Sequence, residues 1–312
     1  MIKCSSIKII FILLIFFHSS ISYSNISSTI ISKVGNEVIT TIDLENELKT
    51  FFILNDINFT KENIENYKNQ LLDVMIKRLV KKNEVSKFKI QEYDDIRFNK
   101  YLNQIAKNKN LKINGLKSLF EKNNLNFEKF KEDLKVQFKW NRLILNIYSK
   151  EVKLNSSEIE VELKKYLTNY KINNEISYNI SEIVINNNDV DKILEIKNYI
   201  NTNGFEKAVA KYSIGESAII GGEIGWVSQS QLSQEFIKKI NTISIGQFTE
   251  PLKRADKLII LRLNDKKSVQ RKSDDIKKVK RELINRMQNQ KLEFFSISHY
   301  SKVARASIIE VK

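Results

Sequence analysis

The chain has 312 residues, 42% hydrophobic and 29% charged, with a formal net charge of +15. This composition supports buried cores in two domains of ordinary size and excludes a collagen-like or low-complexity chain. One proline and eight glycines exclude a proline-rich linker and imply long regular elements.

Lys3 and Lys8 precede an unbroken apolar run, Ile9 to Phe17, and Ser22-Tyr23-Ser24 follows as a small-x-small site. The pattern predicts a signal peptide over residues 1–24, its apolar run too short to span a bilayer stably. The mature chain is therefore expected to be exported, to begin at Asn25 and to have no membrane span. Cys4, the only cysteine, precedes the apolar run and leaves with it. No thiol then remains for a disulfide, a zinc site or a nucleophile. Lysines beyond the leader are scattered among glutamates, the pattern of solvated helix faces, not of a nucleic-acid footprint.

Ile30 to Val34 reads as a strand, Gly35-Asn36 as a turn and Glu37 to Ile39 as a return strand. Thr40 or Thr41 then offers an N-cap for a helix near Asp43. Thr60 caps the next helix, whose Ile64, Tyr67, Leu71, Met75 and Leu79 share one face. A helix over about 91–107 is expected to turn Ile96, Tyr101 and Ile105 inward, and a short one follows near Leu116 to Phe120. Asn126 caps a long helix with Phe127, Phe130, Leu134, Phe138, Leu145 and Tyr148 as its apolar stripe. Ser156 or Ser157 opens another, toward Tyr170.

The texture changes at Lys171-Ile172-Asn173-Asn174, read as a linker. Tyr178 to Ile185 is a strand, Asp189 to Asn201 a helix, and Gly204-Phe205 begins a helix reaching Tyr212. The glycine-rich turn Gly221-Gly222-Glu223-Ile224-Gly225-Trp226 follows. Ser233 to Ile240 is a short helix, and Gly246 to Pro251 leads into the strand Lys257 to Leu263. This order describes an α+β module. From Ser273 a long amphipathic helix carries Ile276, Val279, Leu283, Met287 and Phe294, and a strand over Ser307 to Val311 closes the chain. The last helix has an apolar stripe and no partner nearby in sequence, so it is expected to pack back on the first helical domain.

The stretch Val34-Gly35-Asn36-Glu37-Val38-Ile39-Thr40 with Asp43-Leu44 resembles the opening of the SurA N-terminal domain. So does Leu125-Asn126-Phe127 through Asn155-Ser156-Ser157-Glu158. The module looks like a parvulin, on its Gly221-to-Trp226 run, Phe205 through Tyr212-Ser213 before it, and Gly246 and Pro251 after it. The resemblance covers nearly all of the mature chain. It implies an α+β protein with a SurA-N-like helical domain over 25–170, a parvulin-like domain over 175–266, and a C-terminal helix and strand over 267–312 completing the helical domain.

The resemblance also implies function. Proteins of this kind are periplasmic chaperones that bind unfolded outer-membrane proteins, and the parvulin domain binds peptide, isomerises prolyl bonds, or does neither. By alignment with that family, the usual histidine, cysteine-or-aspartate and histidine positions hold Glu182, Gly215 and Ile259. Glu216 is the nearest acidic residue to the second. Ile224, Leu232 and Phe236 match the apolar proline-contacting positions, and Trp226 joins them as a substrate-binding candidate. Leu232 and Phe236 are also spaced for plain packing on one helix face. The module has no histidine; His18 lies in the leader, and His299, in the last helix, reads as a surface or capping residue.

Prolyl isomerisation lowers a rotation barrier of about 18–20 kcal/mol by holding the ring in an apolar pocket and placing polar groups on the twisted amide. Here the pocket side is kept and the polar side replaced, so the leading expectation is an ATP-independent chaperone with a peptide-binding module, and the rival is an active isomerase. No cofactor is expected, since no phosphate-binding or dinucleotide glycine pattern occurs. No metal is expected either, since a lone mature histidine cannot build a histidine zinc site.

Overall fold

The computed structural model describes residues 28–169, 174–270 and 275–312. The expected signal peptide, with Cys4 and His18, lies outside the described residues, as does the expected linker apart from Asn174. The fold is α+β.

Strands β1 (Ile30–Val34) and β2 (Glu37–Thr40) form an antiparallel hairpin turning at Gly35, whose φ is +60°. Helix α1 (Thr41–Leu54) starts in a capping box: Thr40 Oγ1 accepts from the Asp43 amide, and Asp43 accepts from the Thr40 amide. Helix α2 (Lys61–Lys87) is capped by Thr60, and α3 (Asp95–Asn108) by Asp94. Helices α4 (Ile113–Lys122), α5 (Phe127–Tyr148, capped by Asn126) and α6 (Ser156–Asn169) complete the first helical run. Aromatic rings fill much of its core. Phe120 lies 4.7 Å from Phe130 between ring centres, and Phe98 meets Phe138 edge-on at 5.4 Å.

The module follows. Strand β3 (Asn174–Asn186) leads through a 3-10 turn into α7 (Ile193–Asn203) and α8 (Phe205–Tyr212). A 3-10 turn over Glu216–Ile220 precedes β4 (Glu223–Ser228), and α9 (Gln234–Ile240) follows it. Then come β5 (Leu252–Arg254) and β6 (Lys257–Gln270). The sheet order is β4-β3-β6-β5, all pairs antiparallel. The three-residue β5 carries no alternation that sequence reasoning could detect.

Helix α10 (Asp275–Ala306) returns, and β7 (Ile309–Val311) adds to the free side of β1, giving the sheet β2-β1-β7. α10 buries Val279 and Leu283 against Leu163 and Tyr166 of α6. Farther on it sets Phe295 and Tyr300 against Trp140 of α5, whose Nε1 donates to Ser296 Oγ at 2.8 Å.

Several inward positions differ from expectation. Ile96 is 84% exposed, and α3 instead buries Phe98, Leu102, Ile105 and Ala106. Leu145 is exposed; α5 turns Trp140, Leu143 and Ile144 inward, where α2 and α10 crowd its second half. Ile276 and Phe294 are also exposed, because α10 meets different partners along its length and its buried stripe rotates between them. His299 is a core residue, not a surface or capping one. It is buried, with Nδ1 3.1 Å from the Tyr148 hydroxyl and Nε2 3.3 Å from Glu84 Oε1. Both ring nitrogens thus have partners, as a buried imidazole requires.

Candidate functional site

Residues directly opposed across a strand pair share a face, and successive residues alternate. On one face of the module's sheet, Ile183, Ile185, Leu258 and Ile260 lie under Ile196, Ile200 and Phe205 of α7 and α8. On the other, Tyr178, Ile180, Ile259, Leu261 and Leu263 gather with Leu252, Leu232, Ile237 and Ile240. Val184 and Phe236 pack on this second cluster while only partly buried. The seven-residue α9 and its preceding turn lie over the second face, α10 reaches it through the Arg254–Glu293 ion pair at 2.9 Å, and it holds the residues aligned with the family's chemistry.

Glu182 opposes Leu261, and Val184 opposes Ile259, so Glu182 brings a carboxyl onto the face that carries Leu261 and Ile259. Ser217 Oγ donates to Glu182 Oε1 at 3.0 Å. Burial pushes this carboxyl above the ordinary carboxylate range, against the opposing pull of Arg254 and the Ser217 hydroxyl. Ile259 is 2% exposed and purely a packing group. Gly215 opens the 3-10 turn beside Val184, and a Cβ there would lie 2.8 Å from Val184 Cγ2. A cysteine or aspartate at that position would force the Val184 side chain or the turn to move. The carbonyl of Glu216 accepts from the Tyr101 hydroxyl at 2.9 Å.

The glycine pair shapes this corner. Gly222 has φ +78°, and a Cβ on it would stand 2.3 Å from the Glu182 carbonyl oxygen. Only glycine permits that approach, which lets the Glu182 amide donate to the Gly222 carbonyl at 2.8 Å.

The four apolar candidates divide. Leu232 and Phe236 join Ile259 in one cluster. Trp226 opposes Asn179, whereas its neighbour Val227 opposes Tyr178 of that cluster. Trp226 therefore projects from the opposite face, 44% exposed, with the Lys267 ammonium 4.1 Å from its ring centre. Ile224, two residues away on the same edge strand, is equally exposed.

Elements outside the module hold it on two sides. Gln70 of α2 donates to the Ser213 carbonyl at 2.9 Å, and Asn108 of α3 to the Ile220 carbonyl at 3.0 Å. Ala210 is buried among Phe51, Phe52 and Tyr67. From the other side, Arg286 of α10 donates to the carbonyls of Ser230 and Leu232. Sequence reasoning reaches neither Ser217 nor Arg286, because each acts on residues far away in sequence and neither lies in a recognisable spacing.

Residues 186–265 match the family described as "Rotamase: PPIC-type PPIASE domain". Chaperone SurA of Hydrogenovibrio crunogenus is 23% identical over 278 residues, covering 84% of this chain and 60% of that protein. Chaperone SurA of Pseudomonas aeruginosa is 38% identical over 63 residues, 20% of this chain and 15% of that protein. The chain thus spans 60% or less of the length of these curated relatives. Among solved structures, one of the pair of SurA-like chaperones PEB4 and Cj1289 of Campylobacter jejuni is 18% identical, with coverage of 91% and 99% and a TM-score of 0.35. PrsA, a peptidylprolyl isomerase from Bacillus cereus, is 20% identical, with coverage of 93% and 95% and a TM-score of 0.31.

Proposed function

We propose that this SurA-type chain, with its parvulin domain, is an ATP-independent periplasmic chaperone for unfolded exported polypeptides, outer-membrane β-barrel precursors among them. In this reading the parvulin domain binds extended apolar peptide and isomerises prolyl bonds poorly or not at all. The observation that carries it is the make-up of the second sheet face: an apolar floor of Ile259, Leu232 and Phe236, with no room for a side chain at Gly215. Such a floor takes an apolar residue or a proline ring, but supplies few polar groups to a twisting amide. Exposed apolar side chains elsewhere fit client contact as well; Phe294, 63% exposed, borders a crevice of about 410 Å³ with Met287 and Phe295. The basic surface speeds encounter with acidic clients and makes binding salt-sensitive.

One observation favours the rival, an active isomerase. The Glu182 and Ser217 pair puts polar atoms on the apolar face, and burial favours the neutral carboxyl, a hydrogen-bond donor. A protease-coupled isomerisation assay, run on the mature protein beside an aggregation-suppression assay, separates the two. Suppression at equimolar protein without isomerisation is expected. Isomerisation that Phe236→Ala abolishes would install the enzyme instead, and no suppression would end the chaperone reading.

A further inference from the structure

Residues 228–232 link β4 to α9 and thereby set where Leu232 and Phe236 stand over the apolar floor. Ser228 and Gln231 make a local capping box there, but the carbonyls of Ser230 and Leu232 have a partner from outside the module. Arg286 Nη1 donates to them at 3.1 Å and 2.7 Å, and Nη2 pairs with Glu162 of α6. The Arg286 side chain is only 8% exposed. One turn earlier on α10, Glu282 accepts from the hydroxyls of Ser228 and Ser230. Ser230 is fully buried, and its Oγ also lies 3.1 Å from Glu175 Oε1. The turn is thus held at its carbonyls by Arg286 of α10 and at its hydroxyls by Glu282 of α10 and Glu175 of β3.

A guanidinium taken out of water costs several kcal/mol, and a well-packed apolar contact often stabilises as much. What arginine adds is geometry: a rigid planar fork that serves two carbonyls and a carboxylate at once. We infer that Arg286 is a positioning residue for the peptide site, so that α10, not the parvulin domain alone, fixes the Leu232 and Phe236 wall. This rests on the reading that the Ile259, Leu232 and Phe236 face binds extended apolar peptide.

The test uses the full mature chain and a fluorescein-labelled Ala-Leu-Pro-Phe-Lys peptide, with affinity read by anisotropy. Phe236→Ala is the control for the face itself. Arg286→Met is expected to weaken binding about tenfold. Hydrogen exchange should rise over residues 228–236, while far-UV dichroism and exchange protection in α2 and α5 stay as in the unaltered protein. Arg286→Lys, which keeps the charge but not the fork, should fall between the two. Because Arg286→Met strands Glu162, the pair Arg286→Met with Glu162→Gln repeats the measurement without a lone buried carboxylate. Should both fail to fold, Arg286→Lys decides, and unaltered affinity in it overturns the inference. Unaltered affinity in the Met variants, with binding lost in Phe236→Ala, overturns the role of Arg286 and leaves the face intact. Unaltered binding in Phe236→Ala removes the face, and the inference with it.

Discussion

One face of the module's sheet lies under two helices; the other lies under a single short helix and the flank of α10. The first buries Ile183, Ile185, Ile196, Phe205, Ala208, Val209 and Ile260 at 3% exposure or less. The second leaves Val184 and Phe236 partly open and admits a carboxyl. Both faces keep a close-packed centre, Ile237, Ile240, Ile259, Leu261 and Leu263 on the second being 2% exposed or less, while the incomplete covering at Val184 and Phe236 leaves apolar surface for something else to cover. Binding sites are built this way, on a wall that does not depend on the bound peptide for its own stability.

If that division is right, equal truncations on the two faces should behave unequally. Phe205→Ala, on the covered face, is expected to cost ~3–5 kcal/mol in urea unfolding. Gly222→Ala should follow at about 3 kcal/mol, since it adds a methyl 2.3 Å from a carbonyl oxygen in a left-handed conformation. Phe236→Ala should cost only ~1 kcal/mol of stability while weakening peptide binding about tenfold. A Phe236 variant as unstable as the Phe205 one would make both faces structural and break the contrast.

The same contrast explains what could be read from sequence. Caps at Thr60 and Asn126 were legible because a hydroxyl or amide acts within its own first turn. The alternation from Tyr178 onward announced β3, and the Gly221-Gly222 pair announced a turn. The stripe on α10 was legible only in part: Val279 and Leu283 are buried, but a 32-residue helix touching α6, α5 and α2 in turn does not keep one inward face. His299 was misread for that reason, since its burial comes from Tyr148 and Glu84, which no local pattern brings near it. At the site, Glu182, Gly215 and Ile259 were located by resemblance, but the Ser217 partner, the Val184 obstruction at Gly215 and the Trp226 orientation depend on strand register. Register followed from no short motif here, because a bulge between Ile180 and Ser181 shifts it.

The smallest expected effect probes the Glu182–Ser217 pair on the open face. Burial raises the Glu182 carboxyl above its unfolded range, so the folded protein holds that proton more tightly than the unfolded chain does. The resulting stabilisation is fully present below the ordinary carboxylate range and is lost as pH rises through the folded value. Glu182→Gln keeps an acceptor for Ser217 Oγ and removes the titration. The stability of the unaltered protein relative to this variant should therefore decline as pH rises from about 4 toward 7. By neutral pH the variant should be the more stable, by ~1 kcal/mol or less. Urea unfolding at a series of pH values measures the difference directly. A difference that grows with pH would mean that Arg254 and Ser217 outweigh burial, making the pair a fixed anion rather than a neutral donor beside the peptide floor. The peptide affinity of the Gln variant carries the same information by a second route. If a neutral group suffices at this position, its affinity should equal that of the unaltered protein at low pH and stay level as the pH is raised.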